Sequence, residues 1–321
     1  ILKKRNIIME IYLIGLAVAL VGGLLMSRLT RLLHLPAVTA YLVAGLLLGP
    51  FFLGRLNVPG LGFNTLEEVN VLSIVSQTAL GFIAFAMGNE FRLSQLRTIG
   101  SRAIIIGILQ AVITTIVVDV ILLLLHLFFP HIISVPCAIT LGAIAAATAP
   151  AATLMVVRQY KADGPMTRLL MLVVALDDAV GLLLFSVSFG IATALSNGQV
   201  SVLAVVVEPI VEILLSVGLG GFMGLLLHWV ERFFHSRSKR MSLSVAFVML
   251  TVGLSMLEFQ IGPVHCGFSL LLVCMMTGTI FCNVCPTSEE LMERVDGWTM
   301  PLNILFFVIS GAELDLNVLS Q

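Results

Sequence analysis

Charged residues are scarce in this sequence. Asp, Glu, Lys and Arg make up 11% of its 321 residues, whereas a soluble globular protein carries about 25%. Hydrophobic residues make up 59%. So few charges cannot cover the water-facing surface of a chain this long, which excludes a soluble two-domain protein, intrinsic disorder and nucleic-acid binding through a basic face.

Cysteine is also rare, and five cysteines in a chain of this length exclude a secreted disulfide scaffold. Cys282-x-x-Cys285 is a spacing typical of zinc or redox sites, but no second pair accompanies it. Cys266 and His265 lie at the other end of the same apolar run, about 25 Å away at 1.5 Å per residue. We therefore interpret the cysteines, Cys137 and Cys274 included, as buried or interfacial residues without a chemical role.

Long apolar runs, by contrast, are abundant. A helix needs about 20 apolar residues to cross the hydrocarbon core of a bilayer, and no alternating pattern of the kind that membrane β-strands show is present. The sequence therefore predicts an all-α membrane protein with ten transmembrane helices. The runs lie near residues 11–27, 36–53, 69–89, 103–129, 135–157, 169–195, 202–227, 241–259, 264–284 and 297–313.

Basic residues are distributed unequally between alternate loops. One set of loops holds only Arg55 and the N-terminal Lys3, Lys4 and Arg5, and this trio opposes the overall bias unless Met9 is the natural start. Because Lys and Arg collect on the cytoplasmic side, we expect the N-terminus outside the cell and the richer set of loops in the cytoplasm. That set holds Arg28, Arg31, Arg92, Arg97, Arg102, Arg158, Lys161, Arg168, Arg232, Arg237, Lys239, Arg240 and Arg294.

Two adjacent acids, Asp177 and Asp178, interrupt the middle of the sixth run. Burying a charge in lipid costs several kcal/mol, so ionisable residues at this depth are functional candidates. Neighbours on a helix point about 100° apart, and two anions this deep cannot both stay charged and unpaired. Each must hold a proton, a cation or a basic partner. A carboxylate that trades a proton for a cation is the minimal chemistry of an ion-coupled exchanger.

The fifth run, directly before the acids, is rich in small residues and carries Pro150 in its middle. Proline removes a backbone donor and clashes with the preceding turn, so we predict a broken helix at Ala149, Pro150 and Ala151. Transporters use such broken helices to offer carbonyls and helix ends to ions. Asp119, in the fourth run, has two open interpretations: it lines an ion path, or it makes a structural hydrogen bond to a neighbouring helix.

A short motif occurs twice. Residues 88–96 and 311–319 both match Gly-x-Glu-[Phe/Leu]-x-Leu-x-x-Leu, at the ends of the third and tenth runs, which the topology orients oppositely. Two related segments of opposite orientation indicate an inverted repeat with an offset of seven helices. By that count three final helices are absent from this chain.

Together these motifs resemble those of bacterial sodium/proton antiporters of the monovalent cation:proton antiporter superfamily. The resemblance is carried, in the right order over essentially the whole chain, by Leu35–Pro50, Gly88-x-Glu90, Ala147–Leu154 and Leu176-Asp177-Asp178. It implies a thirteen-helix inverted-repeat fold in a homodimer within the bacterial cell membrane. It also implies a division of the chain into scaffold helices (1–98 and 241–321), half of a mobile ion-carrying core (99–196) and a linker helix (197–240).

The same resemblance implies roles for individual residues. Asp178 would carry the ion, Asp177 would be a second, charge-regulated carboxylate, and Thr148 would be a cation ligand or hydrogen-bond partner. Pro150 would break the helix, and Ala149 stands where many relatives have Asp. Relatives pair the first acid with a basic residue of the eleventh helix, which this chain does not reach.

The function expected from these features is secondary exchange of Na⁺ or Li⁺ for H⁺, with no cofactor and with lipid as the surroundings. The double acid resembles the electrogenic branch. A K⁺/H⁺ exchanger or potassium-efflux transporter remains the alternative, and a fragment that does not transport without its last helices is another. An intramembrane aspartyl protease is disfavoured because adjacent aspartates point apart and cannot share a water, so the protein is not expected to be an enzyme.

Overall fold

The computed structural model describes residues 2–32, 35–56, 58, 62–148, 150–197, 208–257, 259–261 and 264–317. In these ranges the chain is almost wholly helical, with one short hairpin. The elements are α1 (Leu2–Leu32), α2 (Ala37–Leu48), α3 (Leu66–Val71), α4 (Ser73–Met87), α5 (Leu93–Phe128), α6 (Val135–Ala146), α7 (Pro150–Gln159), α8 (Pro165–Asn197), α9 (Glu208–Glu231), α10 (Arg237–Ser255), β1 (Phe259–Ile261), β2 (Val264–Cys266), α11 (Leu270–Val284) and α12 (Ser288–Ala312).

The helical membrane class predicted from the sequence is confirmed. Among the described residues, six segments are long and apolar enough to cross a membrane, and four shorter apolar helices accompany them. The count of ten spans stays a prediction. The six segments are Tyr12–Thr30, Ala37–Leu56, Arg102–Phe128, Val135–Gln159, Ile210–Glu231 and Ser288–Ala312.

Helix α5 displays the apolar surface expected of a lipid-facing helix. Large side chains along it, including those of Ile105, Ile113 and Ile116, are more than half exposed. Such a surface is unfavourable in water, where contiguous apolar patches drive association. It is compatible with hydrocarbon, which solvates these side chains.

Two of the apolar runs do not form a single continuous helix each. The third run divides into α3 and α4 around Leu72, and Thr65 caps α3 by accepting a hydrogen bond from the Glu68 amide. The ninth run becomes helical only at Leu270, where Ser269 is the N-cap. Before it, β1 and β2 pair antiparallel, with Phe259 opposite Cys266. Apolar residues satisfy either structure, so hydropathy alone does not separate them.

The described chain divides into two compact units. One contains residues 1–83, 155–162 and 293–321, and the other contains residues 84–154 and 163–292. The predicted division into scaffold, core and linker concerns which helices move during transport, and it stays a prediction.

In the first unit, α2 and α12 cross at two glycines. A Cβ added to Gly45 would collide with the Val308 carbonyl, and one added to Gly311 would collide with the Leu42 carbonyl. Only glycine permits backbones to approach this closely, a common device in membrane helix pairs.

In the second unit, α11 is the central helix and two glycine-mediated contacts hold it. A Cβ at Gly88, just after α4, would collide with the Met275 carbonyl, and one at Gly278 would collide with the Phe85 carbonyl. On its other side α11 packs against α9. There Gly220 and Gly224, one turn apart, lie directly against α11 backbone carbonyls.

Candidate ion-binding site

The fifth apolar run is interrupted, as its proline predicted. Helix α6 ends at Ala146, Ala147 has extended backbone angles (φ −68°, ψ 137°), and α7 starts at Pro150. Ala149 lies outside the described residues. Pro150 and Ala151 occupy the first turn of α7 rather than the gap, because proline is tolerated where no intrahelical donor is needed. The interruption leaves carbonyls of α6 and amides of α7 without partners in their own helices.

Asp177 of α8 lies beside this interruption. Its side chain is 0% exposed, and within the described part of the chain neither carboxylate oxygen has a hydrogen bond of standard geometry. Two polar side chains are close enough to interact with it, those of Thr148 and Gln110. The Thr148 hydroxyl is also buried without a standard hydrogen bond. The site is therefore a group of buried oxygen atoms whose bonding capacity is unused.

Apolar packing holds Asp177 in this position. Just before it on α8, Leu172 and Val173 are buried against Ala103 of α5. One turn after it, Gly181 faces Ala147, and a Cβ on that glycine would lie 3.9 Å from the Ala147 Cα. The packing of Gly181 opposite Ala147 and the apolar contact before Asp177 keep the carboxylate next to the helix break.

The other predicted acids are located differently. Asp178 is in α8, and its side chain lies outside the described part of the structure. Asp119 lies on α5 against α6, where a Cβ on Gly142 would collide with its carboxylate. It is nine residues beyond Gln110, about 14 Å along the helix. The structure therefore does not bring Asp119 together with Asp177.

Gln110 is the site residue that the sequence analysis missed. It belongs to α5 and approaches the Asp177 carboxylate. The sequence does show it, because Gln110 is a lone polar amide in the apolar stretch 103–113, whose other residues are Ala, Ile, Leu, Val and one Gly. A lone amide in such a run has many structural uses, which is why it did not stand out.

The donor atoms of this group are all oxygens that suit a hard cation. They are the Asp177 carboxylate and the Thr148 hydroxyl, and the Gln110 amide is placed to donate to that carboxylate. A buried carboxylate without hydrogen bonds of standard geometry is unfavourable as a bare anion, which favours uptake of a proton or a cation. An ionisable group beside a broken membrane helix, in an all-helical bundle, is characteristic of ion-coupled secondary transporters.

Comparison with known proteins identifies the family. The chain belongs to the family described as "Sodium/hydrogen exchanger, transmembrane", which it matches over residues 16–321. The superfamily expected from the motifs is thereby confirmed. Proteins of this kind are cation:proton antiporters, which are transporters and not enzymes.

Solved structures share the fold. The sodium proton antiporter MjNhaP1 from Methanocaldococcus jannaschii at pH 8 has a TM-score of 0.65 and 20% sequence identity, over 98% of this chain and 73% of that one. An electron-microscopy structure of the same antiporter has a TM-score of 0.70 and 18% identity, over 94% and 69% of the two chains. At these identities the comparison establishes the fold alone.

A curated relative matches a shorter segment. The K(+) efflux antiporter 5 of Arabidopsis thaliana is 31% identical over 94 residues, which are 29% of this chain. The matched segment spans only 14% of that relative's length.

Proposed function

We propose that this protein exchanges Na⁺ or Li⁺ for H⁺ across a bacterial cell membrane, with the two ions competing for the carboxylates of Asp177 and Asp178. The observation that carries the proposal is the complete burial of Asp177, whose oxygens lack standard hydrogen bonds next to a broken helix. Family membership supports cation:proton antiport in general. The sodium preference follows from the adjacent acids Asp177 and Asp178, which resemble those of the electrogenic branch.

Competition at one site gives coupled exchange. When the carboxylate holds a proton it cannot hold a cation, and when a cation is bound no proton is needed to neutralise the buried charge. Alternating access then exposes the site to one side of the membrane at a time. Low pH should inhibit by protonation, and apparent sodium affinity should rise with pH until the site is fully deprotonated.

The proposal includes an elevator-like movement within an inverted-repeat fold. Two glycine pairs support the repeat, Gly45 with Gly311 and Gly88 with Gly278. In each pair, each glycine lies against the carbonyl three residues before the other. Homodimer formation is proposed from the family resemblance, with lipid as the surrounding solvent.

Potassium is the alternative cation, and one observation favours it. The local similarity to a plant K(+) efflux antiporter covers 94 residues at 31% identity. Potassium also takes oxygen ligands, so the oxygens of Asp177 and Thr148 do not by themselves exclude it. The choice between the ions is therefore an outcome of the transport assay.

Orientation is proposed from the loop charges, with the N-terminus outside. Ser236 lies in the basic loop before α10, and Asn197 ends α8. Single cysteines introduced at these positions should react with an impermeant maleimide from opposite sides, Ser236→Cys from the cytoplasm and Asn197→Cys from outside. The reverse pattern would invert the topology.

The decisive experiment is ion flux in proteoliposomes. The purified protein is reconstituted with a pH-sensitive dye, the vesicle interior is made acidic relative to the outside, and Na⁺, Li⁺, K⁺ or choline is added outside. We expect Na⁺ and Li⁺ to collapse the gradient and choline to have no effect. A response to K⁺ alone would select the alternative, and no response to any of the three metal ions would contradict antiport.

A further inference from the structure

A mixed cluster of ligand-type side chains lies in the second unit, away from the Asp177 site. His228 and Glu231 are one turn apart at the end of α9, and Cys285 follows α11. Each offers one ligand atom, and these atoms all lie within 4.8 Å of one another. The Cys285 Sγ lies 2.8 Å from the Glu231 Oε2.

The cluster is buried and one of its members has unused bonding capacity. His228 is 8% exposed, Glu231 3% and Cys285 4%. The His228 Nδ1 is a buried nitrogen without a hydrogen-bond partner among the described residues. Buried polar atoms are nearly always paired, so an unpaired ring nitrogen requires an explanation.

Among the described residues, neighbouring protein groups provide hydrogen-bond partners within the cluster for Glu231 and Cys285 but not for the His228 Nδ1. Glu231 already accepts hydrogen bonds from the Cys285 thiol and the Thr287 hydroxyl, and its Oε1 lies 3.2 Å from the Arg240 guanidinium. If the cluster had only a structural role, the hydrogen bonds of Glu231 and Cys285 would account for those two residues. They provide nothing for the Nδ1 of His228.

We propose that His228, Glu231 and Cys285 form a binding site for a divalent transition-metal ion of the Zn²⁺ class. Imidazole nitrogen, carboxylate oxygen and thiolate sulfur are the ligands that zinc takes, whereas Na⁺ and Mg²⁺ prefer oxygen alone. The site is therefore chemically distinct from the oxygen-only group around Asp177, and it does not depend on which ion the protein transports.

Binding requires small rearrangements. Ligand atoms around tetrahedral zinc lie roughly 3.5 Å apart, so the cluster must contract by side-chain rotation. The Arg232 guanidinium lies 2.8 Å from the His228 Nε2. A neutral imidazole has one free lone pair, and a bound metal would use it whichever ring nitrogen it binds. The guanidinium must therefore turn away when the metal binds. Arg232 is exposed, which permits that rotation.

Binding of the metal ion releases one proton from the protein. The Cys285 S–H bond breaks, its proton goes to solvent, and the sulfur forms a bond to the metal. Thiolate and carboxylate together neutralise the two charges of the ion. The metal would join the end of α9 to the segment between α11 and α12, next to the predicted cytoplasmic basic loop.

Cobalt titration tests the site directly. The full protein is purified in detergent, stripped with a chelator and titrated with Co²⁺, which gives a thiolate-to-metal charge-transfer band when a cysteine binds it. We expect the wild type to develop this band with one equivalent of Co²⁺ and to lose it when Zn²⁺ is added. His228→Gln should weaken binding at least tenfold, and Cys285→Ser should abolish the band.

Cys282→Ser is the matched control. Cys282 is a buried cysteine three residues before Cys285, and its Sγ contacts the Gly88 and Thr279 carbonyls instead of the cluster. That variant should keep the band. A second measurement needs no variant: Zn²⁺ should protect Cys285 of the wild type from alkylation, as mapped by mass spectrometry. A wild type without the band, a band that survives Cys285→Ser, or an unprotected Cys285 would each overturn the site.

Discussion

Gly88 and Gly278 lie against each other's helices in a reciprocal arrangement. A Cβ on Gly88 would strike the carbonyl three residues before Gly278, and a Cβ on Gly278 would strike the carbonyl three residues before Gly88. Gly45 and Gly311 repeat this register in the other unit. The shared register extends the sequence similarity between residues 88–96 and 311–319 to a second pair of helices, α2 and α11.

These contacts predict which glycines tolerate a methyl group. Gly88→Ala and Gly278→Ala should each destabilise the protein by about 1–3 kcal/mol or more, because the added carbon meets backbone that cannot rotate away. Gly253→Ala, on α10, is the control, because its added carbon has no neighbour within 4 Å. Alanine is the better helix former, so that change should be neutral or stabilising. Thermal unfolding in detergent measures all three, and equal melting temperatures would contradict the close crossing.

The two acids of α8 should respond differently to neutralisation. Asp178→Asn keeps the side-chain shape and removes the carrier charge, so it should abolish exchange in the complete protein. Asp177→Asn should leave weaker sodium binding but remove the voltage response, worth about 2.3 kcal/mol per charge per 100 mV. Flux is measured in proteoliposomes with and without a potassium–valinomycin potential.

Asp163→Asn is the control for these variants, since Asp163 is exposed and paired with Arg168. It should exchange at the wild-type rate. Wild-type sodium/proton exchange by Asp178→Asn would remove that residue from the mechanism.

The hydroxyl beside the helix break should contribute to cation affinity. Thr148→Val is nearly isosteric and removes one oxygen, so the KM for sodium should rise about tenfold, which corresponds to about 1.4 kcal/mol. Gln110→Leu should act in the same direction. Initial exchange rates against sodium concentration give both values.

Thr115→Val provides the matched comparison for Thr148→Val. Thr115 is also buried, but its hydroxyl donates to the Ala111 carbonyl within α5. Its KM should stay within about twofold of the wild type. An unchanged KM in Thr148→Val would exclude Thr148 from the ion site.

An ion pair in the first unit should be energetically coupled. Arg158 near the end of α7 pairs with Asp296 of α12, and both side chains are about one-third exposed or less. Arg158→Gln and Asp296→Asn should each destabilise, and the double variant should lose less than their sum, with a coupling of about 1 kcal/mol. Thermal unfolding of the four proteins completes the cycle.

The Arg168–Asp163 pair is the exposed counterpart. Its side chains are 49% and 73% exposed, so solvent screens the attraction and the same cycle should give less than about 0.5 kcal/mol. Equal coupling in the two pairs would show that burial does not strengthen the Arg158–Asp296 interaction.

Several features of the site could be predicted because they are local. Pro150 lacks an amide hydrogen, and that alone predicts an interruption of the fifth run. Asp177 in an apolar run is costly whatever surrounds it, which marks it as functional. The antiparallel pairing of β1 with β2 and the division of the third run were not predictable in this way, because apolar residues are compatible with helix, strand or turn.

The sequence by itself determined the membrane environment, the helical class, the family and the presence of a broken helix followed by two acids within an apolar run. Each follows from hydropathy, a single proline or an ordered set of motifs, which are properties of consecutive residues. Only the tertiary structure brought Gln110 to Asp177 and set His228 and Glu231 beside Cys285, which is 54 residues beyond Glu231 in the chain. Such groupings depend on which helix faces pack together, and packing is decided by shape and by close contacts such as those of Gly88 and Gly278.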